Sequence, residues 1–530
     1  MSRMGGRIAC LLGLAAATAL VAPLPASAQP KVLKVVPQSD VRVLDPFVNN
    51  SGITTEFAYM AYDVLFAVDK DERPQPQMAE SWNVSPDGLT YTIKLRPGQV
   101  FSDGQPVRSA DVIASLKRWA DRDITGKKMV ELGMTLTAVD DLTFTLKLRE
   151  PFGLTMDTLS KTVSMPTFVM REKEANVDVN TAVTDIIGSG PYLFKKDEWV
   201  PGSKVVFTKN PTYKPRPEPA NFYAGGKLAK TERVEWIVIP DTNTASNALT
   251  QGEVDFFESP PGDLIPVLKK NKDIVVAVHN KSGFMAYLRP NFIQPPFDNI
   301  KVRQALLYAI NQEDYMASAI GGDPSLYKSC YAWLVCGTLY ASEAGTEAFR
   351  KPDLNKAKAL LKEGGYTNQK VVILEPSDFK VIRDLTEVSI QRLKEIGMNV
   401  EVEAMDWGQL ILRRGKKEPI GQGGWSMYHT YSTGYELGPP MANFNISGAC
   451  EQKSWFGWPC DPATEKLRDD FAKEPDLAKR KAIAEKLQLR AAEFVHYVPL
   501  GQFFSPVAYR SNLKGVMEVP WAVYWNIEKN

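Results

Sequence analysis

Apolar residues fall at every second position in Tyr91-Thr-Ile93-Lys-Leu95 and again in Leu142-Thr-Phe144-Thr-Leu146-Lys-Leu148. That period turns one set of side chains to one face of an extended chain, so both stretches predict half-buried strands. Pro86-Asp87-Gly88, just ahead of the first, supplies a turn into it. Between the two stretches the period changes: Val112, Ile113, Leu116, Trp119 and Ala120 share one helical face, with Ser109 placed to cap it. Strand, helix and strand together predict a compact α+β unit.

Further along, Val302, Ala305, Leu306, Ala309 and Ile310 predict a helix over 298–310, capped by Asp298 or Asn299. The run 370–374 reads as a strand, 381–396 as a helix stopped by Gly397, and 399–404 as the next strand. Strand, helix and strand with short connections predict a parallel βαβ unit. Ile483, Leu487, Ala491 and Phe494 mark a long helix before the last strands. There is no internal repeat, and the one biased tract is the proline-rich loop from Pro211 to Pro219. The class is α/β with mixed sheets.

The first residues read as a secretion signal. Arg3 and Arg7 precede an apolar run from Ile8 to Val21, then Pro23 and Pro25, then the small-residue site Ala26-Ser27-Ala28. The run is too short to span a bilayer comfortably, so cleavage after Ala28 is expected, with residues 1–28 removed and export to the periplasm. Cys10 opens the apolar run, where a lipid-attachment cysteine would close it, so it predicts no lipoprotein. The 502 residues left carry 61 basic and 62 acidic side chains. That balance gives no electrostatic reason to seek nucleic acid or an anionic membrane.

Cys330, Cys336, Cys450 and Cys460 remain after cleavage, an even number suited to disulfides in an exported chain. Three pairings are possible; the short spacings favour Cys330–Cys336 and Cys450–Cys460. No CxxC is present and the three histidines are scattered, so no metal or cofactor is expected. GxSxG, HExxH, P-loop and GxGxxG patterns are absent, which argues against an enzyme. Ser189 within Gly188-Ser-Gly-Pro-Tyr192 reads as part of a tight turn entering a strand, not as a nucleophile.

Several segments share order and spacing with a known family: Leu44-Asp45-Pro46 with Ser51-Gly52, Pro76-Gln-Met-Ala79-Glu80-Ser-Trp82, Ser85 to Tyr91, Leu95 to Gly104, Gly188 to Tyr192, and Pro296 to Leu306. The chain resembles the large extracytoplasmic solute-binding proteins of peptide, nickel and opine ABC importers. The resemblance implies a periplasmic binding protein-like clamshell of three lobes. Lobe I would take 29–60, 186–272 and 505–530; lobe II, the inserted α+β unit, 61–185; lobe III, 273–504. It also implies a monomer that closes on a small-molecule or peptide ligand between lobes I and III and delivers it to permease subunits. The alternative is an exported binding module used for sensing or chaperoning.

The same resemblance nominates ligand contacts. The family's third-lobe segment often reads Gly-Trp, two residues, then an acid; here Gly424-Trp425 is followed by Tyr428 and His429. A phenol offers no countercharge to an ammonium, which weighs against an unmodified peptide. Ser51, Gly52 and Thr54 match a first-lobe loop near ligand, and Arg289 interrupts an apolar segment where a guanidinium could meet a carboxylate.

Overall fold

The computed structural model describes residues 31–530 apart from 322, 378, 451–453 and 475. The secretion signal and Cys10 lie outside the described residues. Among those described, no helix is long and apolar enough to cross a membrane.

Two large mixed sheets organise the chain. The seven-stranded sheet runs in the order Ile274–Ala277, Val507–Arg510, Phe256–Phe257, Val32–Val36, Arg233–Ile237, Lys204–Lys209, Tyr192–Phe194. Its strand 32–36 lies between two parallel neighbours, and Leu33 and Val35 are fully buried there, as a central strand covered on both faces requires. The sheet thus draws strands from the beginning, middle and end of the chain. Helix Gly52–Ala61 is buried from Ile53 to Ala61. Gly188 and Gly190 press the following turn onto the end of that helix. A Cβ on Gly188 would lie 1.9 Å from the Ala61 carbonyl oxygen, and Gly190 N–H donates to the same oxygen at 3.0 Å. Ser189 is therefore a packing residue of a turn.

The six-stranded sheet has the order Tyr327–Lys328, Val498–Phe503, Phe284–Pro290, Met427–Thr433, Lys370–Pro376, Asn399–Met405. Strands 370–376 and 399–405 are parallel and joined by helix Lys380–Glu395, the βαβ unit that periodicity predicts. Gly397 follows this helix with φ 90°, a conformation L side chains rarely adopt. Helix Ile300–Ala309 starts from Asn299, whose side-chain oxygen accepts from Lys301 N–H at 2.8 Å.

The α+β unit is a four-stranded antiparallel sheet, Ala79–Val84, Thr90–Leu95, Thr143–Lys147, Thr135–Ala138, packed on helix Ser109–Ala120. Ile93, Leu95, Phe144 and Leu146 meet Val112, Leu116 and Trp119 in one core. The helix departs from expectation at its start. Ser109 is its first residue rather than its cap, and the Asp111 carboxylate accepts from Arg108 N–H at 2.8 Å, leaving the Ser109 hydroxyl to donate to Asp140 O. Disulfides join Cys330 to Cys336 and Cys450 to Cys460.

The chain leaves the seven-stranded sheet after Ala277, enters the six-stranded one at Phe284, and returns between Phe503 and Val507. The outward crossing lies a few residues beyond position 273.

Candidate functional site

The two crossings run side by side. Gln502 Nε2 donates to Ser282 O at 2.6 Å, Ser282 Oγ to Asn280 Oδ1 at 2.9 Å, and Asn280 Nδ2 to Gly283 O at 3.1 Å. Polar side chains thus tie the outgoing segment 278–283 to the end of the strand from which the chain returns.

An aromatic seam fills the junction. On the seven-stranded side, the Trp521 indole rests on Gly52; a Cβ there would come within 2.5 Å of the ring. Trp521 faces Phe284 of the other sheet at 6.3 Å between ring centroids. Phe284 in turn meets Tyr431 and Phe503, each at 5.3 Å. A second bridge joins Phe222 to Tyr435 at 5.8 Å. Gly52, Phe222, Phe284, Tyr431, Tyr435 and Trp521 are all half-buried, so the seam is lined but not sealed. Half-exposed aromatics at a domain junction suit an apolar, adaptable binding surface.

Charge is placed at one end. Glu436 opens the short helix Gly434–Leu437 in a capping box: its Oε2 accepts from Thr433 N–H at 3.0 Å, and Thr433 Oγ1 accepts from Glu436 N–H at 3.1 Å. Burial raises its pKa, and the hydrogen bonds with Thr433, then the charge of Lys161 from the α+β unit, partly offset this. Lys161 is held by Asp123, which also caps helix Ile124–Glu131 through Thr125 N–H and Gly126 N–H. A carboxyl from the six-stranded side and an ammonium from the opposite side therefore converge on the junction.

Beneath Trp521 lies a second acidic feature. Glu56 and Glu258 are buried and bridged by Gln38, whose side chain donates to Glu56 and whose backbone N–H donates to Glu258, both at 2.6 Å. The Tyr524 hydroxyl donates to Glu258. Burial drives both carboxyl pKa values up, that of Glu258 to about 7, and the mutual repulsion adds to the rise at Glu56. One proton shared between them keeps the pair from burying two charges.

The residues nominated from sequence separate into two groups. Ser51 and Gly52 lie half-buried at the junction. Thr54 is behind them and fully buried, its hydroxyl donating to Val43 O at 2.8 Å while Asn49 and Ser51 bond to it, so it fixes the loop. Trp425, Tyr428, His429 and Arg289 are at the far end of the six-stranded sheet with no exposed surface. Trp425 Nε1 donates to Lys416 O at 3.1 Å and its ring packs on Tyr428 and Trp458. His429 is held between the hydroxyls of Ser389 and Thr386, at 2.6 and 3.1 Å, on the helix-covered face. Burial lowers its pKa to about 3. Arg289 donates to the carbonyls of Phe456, Asn445 and His496.

The reason is strand length. Met427–Thr433 carries the chain seven residues, and only its last residues and the helix after it reach the junction. Tyr431, Tyr435 and Glu436 stand where the Gly424-Trp425 motif had directed attention. The usable signal was the strand ending at Thr433-Gly434, where alternation gives way to a capping box.

Comparison with known proteins agrees with this architecture. Residues 73–455 match bacterial extracellular solute-binding proteins, family 5. The chain is 36% identical over 524 residues to a probable peptide ABC transporter periplasmic-binding protein, y4tO, of Sinorhizobium fredii, covering 98% of each chain. It is 30% identical to the glutathione-binding protein GsiB of Escherichia coli K12, covering 96% of each. Among solved structures, AgaA of A. tumefaciens R10 in complex with agropinic acid superposes with a TM-score of 0.77 at 23% identity, over 94% of this chain and 99% of that one. DppA of Helicobacter pylori with the peptide STSA gives 0.77 at 23%, over 94% and 98%.

The fold is the α/β periplasmic binding protein fold, with mixed sheets. The chain belongs to the family 5 bacterial extracellular solute-binding proteins and is the substrate-binding component of an ABC importer, not an enzyme.

Proposed function

We propose that the chain captures a short peptide or a peptide-like amino-acid conjugate in the periplasm, closes its two sheet-bearing sides around it, and passes it to membrane permease subunits. The observation that carries the ligand class is the junction itself. An aromatic seam lies there, and at one end of it Glu436 from the six-stranded side comes near Lys161, itself paired with Asp123, from the other. Opposite charges at a partly desolvated seam suit a zwitterion carrying an ammonium and a carboxylate, with aromatic surface for the body between them. Relatives named for peptides and for glutathione, and a structural neighbour holding agropinic acid, support that class.

Protein recovered from its own periplasm should carry, in native mass spectrometry, an adduct with the mass of such a conjugate, displaced by glutathione or by tri- and tetrapeptides. Glu436→Gln should weaken binding of the displacing peptide by about 1.5–3 kcal/mol, the range for a hydrogen bond to a charged group. A co-purified sugar, or no heat with any zwitterionic probe in calorimetric titration, would sink this reading.

A further inference from the structure

Arg289 is fully buried, and no described residue gives it a countercharge. It lies directly opposite Tyr428 in the antiparallel pairing of strands 284–290 and 427–433, so the two side chains share one face of the sheet. Its Nε donates to Phe456 O at 2.7 Å, and Nη1 to Asn445 O at 2.7 Å and His496 O at 2.9 Å. All three acceptors are carbonyls, dipoles without formal charge. Nη2 has no partner among the described residues, and neither does the Tyr428 hydroxyl.

The neighbourhood adds positive charge. Arg303 and Arg468 are also buried and also donate to carbonyls, of Phe494, Phe297 and Asp298 in one case and of Asn443 and Met441 in the other, Arg468 having Glu465 as an ion-pair partner at 3.5 Å. The Arg414 guanidinium lies 5.6 Å over the Tyr428 ring. Asp461, a buried carboxylate 3.8 Å from the His496 ring, is engaged by Arg490 at 2.8 and 2.9 Å. Water could satisfy the free N–H groups of Arg289 but could not neutralise its charge, and an arginine side chain does not shed its proton in a protein.

We propose that a small monovalent anion of the chloride class occupies this interior site, held by Arg289 Nη2 and the Tyr428 hydroxyl. Phe292 also lines a cavity of about 780 Å³, together with Asp298, Arg303, Lys417, Trp458 and Phe494. The Phe292 ring is shared by both guanidiniums, 4.5 Å from Arg303 and 5.8 Å from Arg289. Arg303 and Lys417 line this aromatic-walled cavity against one carboxylate, Asp298, so an anion has an approach on the six-stranded side, separate from the junction proposed to receive the solute.

The test compares melting in sodium chloride and sodium gluconate at equal ionic strength. An ion bound only to the folded state should raise the melting temperature by roughly 1 °C per tenfold increase in chloride above its dissociation constant, for a chain of this length. Tyr428→Phe, which keeps the ring and removes one donor, should make that dependence shallower, and Arg289→Met should abolish it. Crystals of the wild-type protein grown in bromide should show an anomalous peak in contact with Arg289 Nη2. Should Arg289→Met fail to fold, the bromide crystal and Tyr428→Phe decide. Equal melting in both salts, a chloride effect unchanged in Arg289→Met or in Tyr428→Phe, or bromide crystals without a peak at Arg289 would overturn the site and leave ordered water as its occupant.

Discussion

Trp425 and Trp521 carry opposite expectations. Trp425 is sealed among Tyr428, Trp458 and Leu374, whereas Trp521 is half-exposed between Gly52 and Phe284. Trp425→Ala should cost about 3–5 kcal/mol of stability through the cavity it leaves, while affinity of the folded protein stays as it was. Trp521→Ala should leave melting nearly unchanged and weaken glutathione or peptide capture by about 2 kcal/mol, the scale of a binding hot spot. Thermal melts and calorimetric titration on both variants separate these outcomes; reversed effects would move the solute away from the seam. His429 gives a pH signature of its own. Its folded pKa of about 3 lies below the ordinary 6.5, so between those values the unfolded chain holds a proton the folded one refuses. Stability is therefore intact above pH 6.5 and falls as the solution is acidified, and His429→Gln should reduce that slope in melts taken from pH 7 to 4. At this scale the sequence was a partial guide. Ser51 and Gly52 lie at the junction because a turn motif stays near the surface wherever the helix behind it runs. Trp425 and Tyr428 lie away from the junction because a motif does not state how many strand residues separate it from the strand's far end.

At the scale of elements, helix 52–61 couples the seam to the acidic pair below it. Gly52 and Glu56 are one turn apart on the same face, the first supporting Trp521 and the second sharing its proton with Glu258. Gly52→Leu should push the indole off the helix and weaken capture without unfolding the protein, a loss visible in titration alone. The pair adds a pH window opposite in sign to that of His429. Glu258 titrates at about 7 in the folded chain against an ordinary 4.5. Its contribution is complete below 4.5 and is lost as pH rises through 7, because the folded state keeps a proton that the unfolded state has released. Glu258→Gln should flatten the decline in melting temperature between pH 5 and 8; an unchanged decline would mean the pair does not share a proton. Elements were the most legible scale. The strands at 90–95 and 143–147, the helix at 109–120 and the βαβ unit at 370–405 were readable because a period of two or 3.6 is local. The partners of Val32–Val36 were not, since pairing across 200 residues leaves no local pattern.

For the molecule as a whole, the bonds joining the two sides are mostly weak ones. Lys281–Glu518, Lys269–Asp323 and Lys128–Asp469 span the junction at 3.3, 3.3 and 2.6 Å, but each has a half or nearly half-exposed partner. Exposed pairs of this kind contribute about 0–1 kcal/mol and are screened by salt. The solute must then supply the free energy that favours closure. Small-angle scattering should show a smaller radius of gyration at saturating glutathione or peptide than in ligand-stripped protein, and an identical radius would count against closure. The threading of the chain has a further consequence, in time rather than in space. Strand 32–36 waits about 200 residues for its partners 233–237 and 256–257, and 256–257 in turn waits for 507–510. While the chain emerges N-terminus first, the α+β unit has all its strands within 70 residues and can form alone, but the seven-stranded sheet remains open. Trp521 follows strand 507–510, so the seam proposed to bind solute is assembled late, once nearly the whole chain is present.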